Sequence, residues 1–94
     1  MPALKPRVRD DLTAVELEGE IVLYDEGTDD IHHLNPTASV VFSLCDGQST
    51  VKEIARDIAE AFGVAEDQVE REVRSLLREF RKAGLLAERR ARVG

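Results

Sequence analysis

Apolar and polar residues alternate from Val15 onward: Val15 and Leu17, then, past Glu18-Gly19-Glu20, the run Ile21-Val22-Leu23-Tyr24. This is strand patterning. The next six residues, Asp25 to Asp30, are turn chemistry, with Gly27 able to take a positive φ. A short apolar segment, Ile31 to Leu34, follows. The spacing predicts three short antiparallel strands near 14–18, 20–25 and 30–34. At Asn35-Pro36 the rule changes. Asn35 suits an N-cap and Pro36 the first helical position, and Val40, Val41, Leu44 and Cys45 then recur at helical spacing as far as Asp46-Gly47. Thr50 and Glu53 form a capping-box pair ahead of the stripe Val51, Ile54, Ala55, Ile58, Ala59 and Phe62, which Gly63 ends. A third helix is expected from Ala65, with Glu66 and Asp67 in its first turn and Val64 stapled onto Val69. Its stripe is Val69, Val73, Leu76, Leu77 and Phe80, and Gly84 is the expected stop, after which Leu85 and Leu86 fold back onto the core.

Strands segregated from helices predict an α+β fold, a three-stranded antiparallel sheet followed by three helices. These are the parts of a winged helix-turn-helix in permuted order. The 94 residues hold one domain, with 43% hydrophobic and only 4% aromatic residues, so the core must be mainly aliphatic. The expected division is a flexible N-terminal arm (1–12), a globular domain (13–87) and a basic tail (88–94). No apolar run is long enough for a bilayer span or a signal peptide. The single cysteine forbids an internal disulfide, and a cytoplasmic protein is expected.

The net charge of −6 is unevenly distributed. Residues 1–9 carry +3, residues 10–70 carry 16 acidic against 2 basic side chains, and residues 71–94 carry 8 basic against 3 acidic. A chain so acidic over most of its length is a poor nucleic-acid binder. His32 and His33 are adjacent on a predicted strand and point to opposite faces, so the two do not share one metal ion. Cys45, near a helix C-terminus, is poorly placed as a nucleophile. No phosphate loop, acid pair or catalytic triad is marked by a motif, so neither an enzyme nor a cofactor is expected. Two features carry more information. If the strand of Asp30, Ile31, His32, His33 and Leu34 lies at the sheet edge, it is a template for an added peptide strand. Arg71, Arg74, Arg78 and Arg81, with Lys82 beside them, recur in steps of three and four along the last helix and suit an anionic partner, unless acidic neighbours neutralise them.

The segment from residue 34 to 64, together with the Gly84-Leu85-Leu86 ending, resembles the PqqD family of small peptide chaperones, also called RiPP recognition elements. The resemblance rests on Leu34-Asn35, Thr37-Ala38, Val41-Phe42, Leu44, Asp46-Gly47, Thr50-Val51, Glu53-Ile54-Ala55 and Phe62. It departs at Phe42, where many relatives carry Trp, and at His32-His33. The resemblance implies a non-catalytic protein that binds the leader of a ribosomally made precursor peptide. It would present that precursor to a modifying enzyme such as a radical SAM enzyme, a cyclase or a leader peptidase. Carried over to this chain, the leader adds to the strand Asp30–Leu34 and faces Arg71, Arg74, Ser75, Arg78 and Arg81. A monomer or weak dimer is expected, since an exposed edge can also pair with its own copy. The alternative is a winged-helix DNA-binding protein. The acidic opening of the last helix, Glu66-Asp67, and the strands preceding the helices both argue against it.

Overall fold

The computed structural model describes residues 4–87, so the predicted tail of 88–94 lies outside the described residues. The element order is β1 (Thr13–Leu17), β2 (Glu20–Asp25), β3 (Asp30–Leu34), α1 (Pro36–Leu44), α2 (Val51–Phe62) and α3 (Glu66–Lys82). The α+β expectation therefore holds, with three strands followed by three helices. The sheet order is β1-β2-β3, antiparallel throughout, which leaves β2 central and β3 at an edge. Ile21 and Leu23 of β2 and Leu34 of β3 turn to the helices and are buried with Val41, Phe42, Ile54 and Ala55. All of β1 is exposed, Val15 and Leu17 included, because the sheet's main contacts with α1 are made by β2 and β3.

Local signals set the element ends. The Asn35 side chain accepts from the Ala38 amide at 2.8 Å, with Pro36 at the first helical position. The capping box is complete: Glu53 N–H donates to Thr50 Oγ1 at 3.1 Å, and Thr50 N–H donates to Glu53 Oε1 at 2.8 Å. Gly63 ends α2 with φ of 67°. In the β2–β3 turn the left-handed residue is Asp29 (φ 63°) rather than Gly27, and Asp29 Oδ1 accepts from the Tyr24 hydroxyl at 2.6 Å. Aspartate tolerates this region better than most side chains. Phe62 and Val64 are exposed, so neither joins the core.

The larger correction concerns the N-terminal arm. Residues 6–9 are hydrogen-bonded into the fold. Val8 N–H donates to the Cys45 carbonyl (3.0 Å), Arg9 N–H to the Leu85 carbonyl (2.9 Å), and Gly47 N–H to the Pro6 carbonyl (2.9 Å). Arg9 then fastens the assembly. Its guanidinium donates to Asp25 Oδ2 and to the Gly84 carbonyl, both at 2.9 Å, and grips Asp11 through Nε and a terminal nitrogen. Those contacts with Arg9 hold the Asp25 and Asp11 carboxyls below their usual range.

A serine links sheet to helix. Buried Ser39 Oγ accepts from Ile21 N–H at 2.9 Å and donates to the Leu34 carbonyl at 3.2 Å. It thereby bridges the opposed residues of the β2–β3 ladder. Replacing it, Ser39→Ala, removes a buried hydrogen bond from each of two backbone groups and is expected to lower stability by about 1–3 kcal/mol in urea denaturation. A change below about 0.5 kcal/mol would mean that the hydroxyl is not the link.

Candidate functional site: the edge of β3 and its groove

The Ser39 bridge also orients the edge. In an antiparallel ladder, opposed pairs alternate between those that point their backbone groups at each other and those that point them away. Ile21 and Leu34 face each other through the Ser39 hydroxyl, and Leu23 pairs with His32 two residues on. His33 and Ile31 therefore turn their N–H and C=O groups out of the sheet. Among the described residues nothing pairs with that side of β3, since the arm's isolated bridges go to Asp46 and Leu86 instead.

Beside this edge runs a groove of about 260 Å³. One wall is the end of β3 and the start of α1: His32, His33, Leu34, Asn35 and Ala38. The other is α3 and the segment after it: Leu76, Glu79, Phe80, Ala83 and Leu85. Period-two alternation puts His32 on the inner face, half-buried beside Leu34, and His33 on the outer face, where Nε2 lies 2.9 Å from Glu20 Oε1. The groove is floored by apolar side chains. Phe80 is buried and meets Phe42 edge-to-face, with ring centroids 5.9 Å apart. This arrangement can hold an extended chain by its backbone on one side and by an alternate side chain in the apolar slot.

The α3 residues expected at this groove are not there. Arg74, Arg78 and Arg81 line a separate concavity on the far side of α3, shared with the N-terminal arm and the start of α2. Arg71 and Ser75 line neither concavity. The reason is helical phase: Arg74 and Arg78 each lie two residues, about 200° of rotation, from the groove-facing Leu76. Leu76, Phe80 and Ala83 are the wall that sequence reasoning missed. Their signal was the edge of the apolar stripe continuing into small Ala83, beyond the part needed for the core.

Other chemistry is sparse. Cys45 is a buried thiol whose pKa burial pushes up to about 12, with Asp46 adding to the shift. It is a poor nucleophile in that state. Among the described residues no group of three or more His, Cys, Asp or Glu side chains is placed to hold a metal ion, and no helix is long and apolar enough to cross a membrane.

A three-stranded sheet with an uncovered third strand, backed by three helices, defines the class: a domain with the fold of a RiPP recognition element. The chain belongs to the PqqD family, as the family model described as coenzyme PQQ synthesis protein D matches residues 20–86. Three solved structures are similar. TbiB1 in complex with the TbiA(beta) leader peptide is 25% identical, with 89% of this chain and 98% of that chain covered and a TM-score of 0.77. Lasso peptide synthetase B1 complexed with the leader peptide is 18% identical, covering 89% and 99% at a TM-score of 0.77. The PqqD truncation of Methylobacterium extorquens PqqCD, a stand-alone RiPP recognition element, is 21% identical, covering 88% of each chain at 0.73. No curated protein matches the chain.

Proposed function

We propose that this protein binds the leader segment of a ribosomally synthesised precursor peptide as an added strand on β3. It then presents the precursor to a modifying enzyme, without catalysing a reaction itself. The observation that carries this reading is the pair of outward-facing backbone positions, Ile31 and His33, alongside an apolar groove. Backbone pairing gives affinity that tolerates sequence change, and the groove selects a side chain. The neighbours bound to leader peptides, TbiB1 and lasso peptide synthetase B1, support it. Ordering a disordered leader opposes binding, so a dissociation constant of about 0.1–10 μM is expected. DNA binding is disfavoured because α3 opens with exposed Glu66 and Asp67, which repel phosphates.

The test is an NMR titration of the labelled protein with the leader of the precursor encoded beside it. Amide shifts at Ile31 to Leu34 and at Leu76, Phe80 and Ala83 are expected. Saturable binding whose shifts avoid β3 would overturn the site, and the absence of any binding would overturn the function.

A further inference from the structure

The second concavity is unlike the first. It is an open groove of about 1460 Å³ on the far side of α3. Six cationic side chains line it (Lys5, Arg7, Lys52, Arg74, Arg78 and Arg81) against a single carboxylate, Asp46. They come from three separate stretches of chain: the docked arm, the start of α2, and α3. Two are paired: Arg7 lies 3.3 Å from Asp10, and Arg74 lies 2.7 Å from Glu70. Among the described residues Lys5, Lys52, Arg78 and Arg81 have no carboxylate within 4.0 Å. Arg74 and Arg78 are one helical turn apart and repel, which an isolated helix does not favour. In a chain of net charge −6, this concentration of cations is local, and among the described residues no strand carboxylate lies within 4.0 Å of it.

We infer that this groove is a second docking site, which takes a carboxylate-rich segment of a partner polypeptide while the β3 edge stays free for a leader. Arginines engage carboxylates with paired, charge-assisted hydrogen bonds, and the lysines add point charges. A polypeptide fits better than a nucleic acid for two reasons. Leu77 and Leu86 give the groove an apolar floor that a phosphate backbone would not use, and Asp46 stands in its wall. The rest of the surface, acidic from residue 10 to residue 70, would repel a polyanion as long as a duplex. A short acidic segment needs only the groove.

The experiment is a titration of the full labelled chain with a synthetic peptide alternating glutamate and leucine. Parallel titrations use its lysine–leucine counterpart, random duplex DNA and inorganic phosphate. The acidic peptide is expected to shift the amides of Lys52, Leu77, Arg78 and Arg81, to leave Ile31 and His33 unmoved, and to bind about tenfold more weakly at physiological than at low ionic strength. The combined variant Lys52→Gln, Arg78→Gln, Arg81→Gln should lose these shifts with an unchanged circular dichroism spectrum. If that variant is unfolded, Arg78→Gln alone should weaken binding severalfold. Four outcomes overturn the inference: no shifts, shifts confined to β3, tighter binding of duplex DNA, or equal shifts with phosphate alone. A concentration-dependent shift of the same residues without any peptide would also overturn it, by assigning the groove to a second copy of the chain. Leader binding is read on Ile31 and His33, so the two sites fail separately.

Discussion

His33→Pro is expected to weaken leader binding at least tenfold while leaving the protein folded. The amide of His33 points out of the sheet, so removing it costs the β2–β3 ladder nothing, and edge positions of this kind tolerate proline. An incoming strand loses that donor and meets the pyrrolidine ring where its own backbone should lie. A backbone hydrogen bond contributes about 0.5–1.5 kcal/mol, and the steric obstruction adds to that loss. The His33–Glu20 contact also disappears, but it is exposed and contributes little. His32→Pro is the informative contrast. His32 faces Leu23 across the ladder, so that change should destabilise the sheet itself. Calorimetric titration of both variants, with thermal melts, separates the two effects. Parental leader affinity in a folded His33→Pro protein would remove β3 as the docking strand.

Phe80→Ala should have the largest effect on stability. Phe80 is 3% exposed and packs edge-to-face on Phe42, so truncation opens a cavity where α1 meets α3. The expected loss is about 3–5 kcal/mol in urea denaturation. That is a large fraction of the stability of a domain this size. Leu76→Ala, at a half-buried position on the same groove wall, should cost less stability and act mainly on leader affinity. A loss below about 1 kcal/mol for Phe80→Ala would mean that the groove wall collapses freely to fill the gap.

The elements themselves were legible wherever a local rule determined them. β2 and β3 have the ends the alternation predicts, and Asn35, Thr50 and Gly63 cap their helices as their chemistry suggests. β1 begins and ends one residue early because Glu18 and Gly19 both take positive φ in the turn. The arm was not legible. Residues 6–9 have no periodicity, and their anchors, Cys45, Leu85 and Asp25, are distant in sequence. The arginine row was half legible. Helical spacing gathers Arg74, Arg78 and Arg81 on one face, but only the packing of Leu76 and Phe80 toward β3 shows that this face looks the other way.

The docking of the arm brings the two ends of the domain together. Val8 bridges Leu86, and the Ala87 amide donates to the Arg7 carbonyl at 2.8 Å. Residues 7–8 and 86–87 therefore lie side by side. A tether to another protein, attached at either end, would start from the same place. The same proximity makes the domain a good scaffold for circular permutation: a short glycine–serine link between the ends, with new termini opened at the exposed Gly63 corner, would keep every strand pairing in place.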